Sequence, residues 1–120
     1  MNSPSCPVRI DNYRFGEIIV DGNSYKKDLI VFPNHVAPQW WREKGHSLAL
    51  SDLEEVFNDP PDLLIIGTGA YGRMKVPVHT QEQIQAKGLK IQILKTKEAC
   101  KTYNDLCDTQ RVAAALHLTC

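Results

Sequence analysis

Residues 63–77 read LLIIGTGAYGRMKVP, and the reading of this stretch decides the fold. Four apolar residues run directly into Gly67, Gly69 and Gly72. A short continuous apolar run closed by glycine predicts a strand covered on both faces. Downstream, LKIQIL at 89–94 alternates in polarity, and RVAAALHL at 111–118 places Val and Leu around three alanines; both predict strands. Between them lie two helical patterns. Residues 78–87, begun by Pro77 or capped at Thr80, end at Gly88. After a Thr96 cap, Ala99, Cys100, Tyr103, Leu106 and Cys107 recur at helical spacing. Strand, helix, strand, helix, strand implies parallel pairing with right-handed crossovers.

Working toward the other end, Ser51 and Glu54 match a capping box, and Leu53, Val56 and Phe57 give the helix an apolar face before Pro60 and Pro61 stop it. EIIVDGNSYKKDLIVFP at 17–33 predicts a hairpin, with strands Ile18–Val20 and Leu29–Phe32 about an Asp21–Gly22 turn. Trp40 and Trp41 suggest a short extended segment and Gly45 a turn. Adjacent tryptophans on a strand point to opposite faces, which puts one in the core and leaves the other for a pocket rim or a partner. Residues 1–12 are expected to form a flexible tail, and 13–120 one α/β domain, with the hairpin adding to the sheet or covering it.

Composition narrows the function classes. Apolar residues make up 42% and charged residues 23% of the 120, the mix of a globular domain. Fourteen basic residues balance fourteen acidic ones, so no net field draws the chain to nucleic acid or an acidic membrane. The apolar runs are far shorter than the roughly 20 residues of a membrane helix. Four cysteines without C-x-x-C pairing predict reduced thiols and a cytoplasmic setting. Cys100 and Cys107, seven apart on one helical face, read as buried, inert thiols.

Gly67, Gly69 and Gly72 match the G-x-G-x-x-G spacing of a dinucleotide site. Such a site also needs a helix opening at the loop and an acid about 20 residues on. Here RMKVP intervenes, and Lys95 stands where the acid belongs. The loop remains open to two other readings: an anion nest, with Arg73 and Lys75 adding charge, or a structural or partner-facing turn. His117 and Cys120 close the quoted sequence as HLTC, a thiol near a histidine, but no set of convergent ligands predicts a metal. No triad, nucleophile elbow or carboxylate pair is assignable, so the chain leans away from being an enzyme.

Taken in order, RFG at 14–16, WWREKGH at 40–46, IIGTGAYGRMKVP at 65–77, TYN at 102–104 and RVAAALHLTC at 111–120 resemble a small, widespread domain-of-unknown-function family. Its members include the animal adipogenesis-associated domain protein, an assembly factor of mitochondrial respiratory complex I, and many bacterial and archaeal proteins. The resemblance implies a three-layer fold. A central mixed, mostly parallel sheet would carry helices on one side and strands plus a helix on the other. It also implies a protein that works through protein partners, without a cofactor. Arg42, His46, Gly67, Gly69, Tyr103, Asn104 and His117 match the family's motifs. In open α/β sheets the loops after the parallel strands form the ligand crevice. The candidate ligand or partner site is therefore Arg42, His46, Gly67, Thr68, Gly69, Tyr71, Gly72, Arg73, Asn104, His117 and Cys120, with Asn104 reaching the loop's backbone to hold its shape. The expected role is a non-catalytic binding or assembly module; the alternative is a small-anion or small-ligand protein using the Gly67–Gly72 loop. An exposed sheet edge also permits a homodimer.

Overall fold

Eight strands and three helices lie in residues 6–120, the part of the chain that this computed structural model describes. Strands β1 (Ile10–Arg14), β2 (Glu17–Val20) and β3 (Asn23–Tyr25) form an antiparallel sheet in that order. The second sheet has five strands: β4 (Leu29–Val31), β5 (Val36–Ala37), β6 (Leu63–Gly67), β7 (Lys90–Leu94) and β8 (Val112–Leu116), in the order β5-β4-β8-β6-β7. β6 pairs in parallel with both β7 and β8, while β4 runs antiparallel to β8 and β5. In register, Gly67 stands opposite Leu94 and Leu116, so the three parallel strands end level and release their loops along one edge.

Alternation along the central strands divides the core in two. Leu63 and Ile65 of β6, with Val112, Ala114 and Leu116 of β8, face α3 (Thr96–Leu106) and the three-stranded sheet. Leu64 and Ile66, with Ala113 and Ala115, face the other way, onto Leu53, Val56 and Ile84. Those residues come from a 3-10 turn (Leu50–Leu53), α1 (Glu54–Asn58) and α2 (Val78–Ala86). The result is a mixed three-layer α/β domain. Alanine is a weak strand former, yet β8 is central and buried along its length. Small side chains there let Ala99 of α3 pack in the same cluster as Ala114.

Several expectations shift. The predicted tail does not reach residue 12: Cys6, Val8 and Ile10 are all buried, and β1 begins at Ile10 because its apolar face covers α3. Residues 1–5 of that tail lie outside the described residues. The Asp21–Gly22 turn is present, with positive φ at both residues, but it joins β2 to β3; Leu29–Val31 crosses to the other sheet. The tryptophans lie in a loop after β5 rather than in a strand. The expected Ser51 cap is exposed. Asp52 does the capping, accepting the Ala49 N–H through Oδ2 at 2.9 Å. Thr96 opens α3 from inside the helix, and Lys95 holds the cap position. The cysteines are not all reduced: Cys6 and Cys107 are joined in a disulfide, and Cys100 and Cys120 are free.

Candidate functional site

The level ends of β6 and β8 bring the glycine loop against residues 117–120. Thr68 donates its N–H to the Leu94 carbonyl (2.9 Å), and Ala70 donates to that of Thr119 (2.7 Å). The Arg73 N–H reaches the backbone oxygen of Cys120 at 3.1 Å, and Gly72 closes the turn onto Gly69. Gly69 donates to the Thr96 hydroxyl at 2.8 Å, and that hydroxyl donates to the His117 carbonyl at 2.6 Å. The loop therefore spends these donors on its own chain. The anion-nest reading needs them free, and here they are occupied.

The fit depends on missing side chains. At Gly69 φ is +104°, and a Cβ would lie 2.7 Å from the Thr119 oxygen and 2.8 Å from His117 Cδ2. At Gly67 a Cβ would meet Leu116 Cδ2 at 2.8 Å. Gly69 is thus required for a close approach of peptide to peptide and Gly67 for packing against the Leu116 side chain, whereas Gly72 meets only ordinary contacts.

Beneath this loop sits a polar cluster centred on Asp28, which the sequence reading did not select. Its Oδ1 accepts the Leu118 N–H at 2.8 Å. Its Oδ2 lies 2.8 Å from both His117 Nδ1 and Arg42 Nη2. Burial pushes the Asp28 carboxyl upward, but hydrogen bonds from His117, the Leu118 N–H and Arg42 outweigh it and hold the carboxyl below its usual range. An ionised carboxylate only accepts, so the ring N–H is assigned to Nδ1, facing Asp28. Arg42 also donates through Nε and Nη2 to the Gly45 carbonyl, and it stacks 4.6 Å from the centre of the Trp40 ring. Among the described residues, two polar atoms in the cluster are buried with no hydrogen-bond partner: Arg42 Nη1 and His117 Nε2.

His46 meets His117 edge-on at 5.5 Å between ring centres, and its carbonyl accepts the Lys75 N–H at 2.7 Å. Arg42, His46, Gly67–Arg73, His117 and Cys120 are therefore brought to one end of the sheet. Asn104 is not. Its Oδ1 accepts the Ile10 N–H (3.1 Å) and its Nδ2 donates to the Ile10 carbonyl (2.7 Å), so it pins β1 at the far end of α3. Among the described residues, the atoms close enough to share a metal ion are those of Cys6, Cys107 and Asp108, away from this cluster.

Large apolar side chains stand around the rim. Trp41 is 75% exposed, Tyr71 65% and Phe15 54%, with the Phe15 and Tyr71 rings 6.0 Å apart. Trp41 borders two shallow grooves: one of about 510 Å³ lined by Glu43, Asp52, Glu54 and Glu55, the other of about 530 Å³ lined by Lys26, Lys27 and Asp28. Gln39, which borders both, has φ of +61°, a left-handed conformation uncommon for a residue with a side chain.

Comparison with known proteins follows the same chain. The model of a family described as "Protein of unknown function (DUF498/DUF598)" matches residues 10–117. A Francisella tularensis protein named "13 kDa major membrane protein" is 27% identical over 107 residues, covering 88% of this chain and 86% of its own. The solved structure of a Rhodopseudomonas palustris protein is 31% identical and superposes with a TM-score of 0.74, covering 89% of this chain and 80% of its own. A Bordetella pertussis protein described as a Mth938-like domain shares the fold at 22% identity, with a TM-score of 0.73 over 98% and 90% of the two chains. Among the described residues of this chain, no helix is long and apolar enough to cross a membrane.

Proposed function

We propose, from the premise that the chain belongs to the family of unknown function DUF498/DUF598, that it is a non-catalytic binding or assembly module working through a partner protein. The observation that carries this reading is the contrast between a glycine loop filled by its own chain and a rim of exposed aromatic rings. Exposed Trp and Tyr side chains are the residues from which interfaces draw most of their energy. Trp41 is the expected anchor, held between an acidic and a basic groove so that a partner with charges of both signs is oriented on it. The resemblance to an assembly factor of mitochondrial respiratory complex I supports the same role. Cytoplasm is the proposed location; Cys100 and Cys120 are free, and the Cys6–Cys107 bond runs counter to it unless the compartment's thiols can open that bond.

A photo-crosslinking residue placed at position 41 or 71 in the native host tests this. The expected result is one discrete adduct shared by both sites and missing when the probe replaces Ile93, which is exposed on β7 at the sheet's edge. Adducts no different from those at position 93 would remove the reading. An adduct of twice the chain mass would replace it with a homodimer. With the partner identified, Trp41→Ala should weaken binding by about 2 kcal/mol, or roughly 30-fold, without changing the melting temperature.

His117 Nε2 and Arg42 Nη1, buried with no partner among the described residues, favour a second reading, a small ligand that donates to the ring and accepts from the guanidinium. It is tested by melting temperatures measured with phosphate, which has both O–H donors and acceptor oxygens, and with chloride, which has no donor, as the control. A saturable rise that Arg42→Lys abolishes would support it, and flat responses would discard it.

A further inference from the structure

We propose that Cys6 and Cys107 form a reversible thiol–disulfide exchange site whose co-substrate is a small disulfide of the glutathione disulfide class. The site lies apart from the glycine loop and does not depend on the partner-binding reading. Three observations converge on it. The two residues are already joined, with Cα atoms 5.3 Å apart, within the range disulfides adopt. Charged groups flank the sulfur of Cys6: Arg9 Nη1 lies 3.6 Å away, where it favours the thiolate of the reduced form, and Asp108 Oδ1 lies 3.3 Å away, where it can accept from the protonated thiol of that form. The bond also ties the segment leading into β1 to the residue that caps α3, across 101 positions of sequence.

The remaining cysteines differ. Burial pushes the Cys100 thiol up to about 12, which leaves it protonated and inert, and Cys120 lies against the glycine loop at the opposite end of the domain. Cys107 is half-buried and Cys6 buried, so Cys107 meets the oxidant first. Its thiolate attacks one sulfur of the small disulfide, a mixed disulfide forms at Cys107, and one small thiolate leaves. The Cys6 thiolate then attacks the Cys107 sulfur and expels the second small thiolate. The two protein thiols give up two electrons and two protons, and one small disulfide becomes two small thiols.

The structural consequence falls on β1. Its start is otherwise held by the Tyr103 hydroxyl on the Val8 carbonyl and by the paired bonds of Asn104 to Ile10. Opening the disulfide leaves those hydrogen bonds, the burial of Val8 and Ile10 against α3, and the pairing of Arg9 with Asp21 to hold residues 6–10. In a reducing compartment a bond of this kind reports on the thiol pool rather than serving as a permanent brace.

The whole chain is equilibrated in buffers of varied reduced and oxidised glutathione, quenched with a maleimide under denaturing conditions, and weighed intact. The oxidised form should carry two labels fewer than the reduced one, with peptide mapping placing the bond at 6 and 107. Its melting temperature should be higher by on the order of 10 °C, and exchange of the Ile10 amide slower. Cys6→Ser should stop at a mixed disulfide of glutathione on Cys107 in oxidising buffers, Cys107→Ser should melt as the reduced chain in all of them, and Cys120→Ser should keep the transition. Four labels at the most oxidising poise, a bond made by Cys100 or Cys120, or identical melting and Ile10 exchange in both forms would overturn the proposal. So would stoichiometric zinc held by Cys6, Cys107 and Asp108 that blocks oxidation.

Discussion

Asp28 closes the site although it carries none of the marks by which a sequence advertises function. It follows two lysines and precedes a strand, and its role depends on groups 14 and 89 positions away. Because its folded-state carboxyl is held below the usual range near 4, its contribution is complete above that pH and is lost as the pH falls through the lower folded value. The melting temperature should therefore drop on acidification below about pH 4, and Asp28→Asn should flatten that limb. At neutral pH the same substitution strands the buried Arg42 guanidinium and should cost about 3 kcal/mol, measured by urea unfolding. The glycines of the loop separate by the same logic. Gly69→Ala combines left-handed backbone with a Cβ 2.7 Å from a carbonyl oxygen and should cost about 3 kcal/mol or more. Gly72→Ala meets only ordinary contacts at 3.5 Å and should cost about 1–2 kcal/mol from its φ of +70° alone. Equal losses at the two positions would refute the close-approach account. The sequence shows that these glycines sit in a turn; it does not show that a peptide, not a phosphate, lies against them.

At the scale of elements, α3 is a peg fixed at both ends. Its first residue, Thr96, links the glycine loop to the end of β8, and Asn104 presents the backbone of β1 with an acceptor and a donor in the manner of a neighbouring strand. Asn104→Ala should lower stability by about 2 kcal/mol and speed amide exchange at Ile10, with the glycine loop's amides unaffected. Simultaneous loosening of the loop would restore the expectation that Asn104 serves it. The helix itself is legible from the spacing of Ala99, Cys100 and Tyr103, whose positions are all buried. What each end grips is not, because that depends on which strands lie alongside. The hairpin fails for a related reason. Asp21–Gly22 predicts the turn, but Asn23–Tyr25 is too short and polar to announce a strand, so the apolar Leu29–Val31 stands in for it. Pairing with β2 makes those three residues a strand where propensity does not.

For the molecule as a whole, the parallel arrangement of β6, β7 and β8 follows from apolar runs separated by helical patterns, and it sets the loops along one edge. Arg42, His46, the glycine loop, His117 and Cys120 gather there as that arrangement requires. Local chemistry, namely the periods of 2 and 3.6 and the punctuation by Gly and Pro, determined β6, β7 and β8, the helices between them and their crossovers in the sequence alone. Contacts remote in sequence decided the rest: the separate sheet of β1–β3, the disulfide between Cys6 and Cys107, the Asp28 cluster, and the filling of the glycine loop by residues 117–120. A hydrogen-bond donor in a loop is the same group whether it faces a ligand or its own chain. Only the packing of distant segments says which oxygen arrives, and here it is the protein's own.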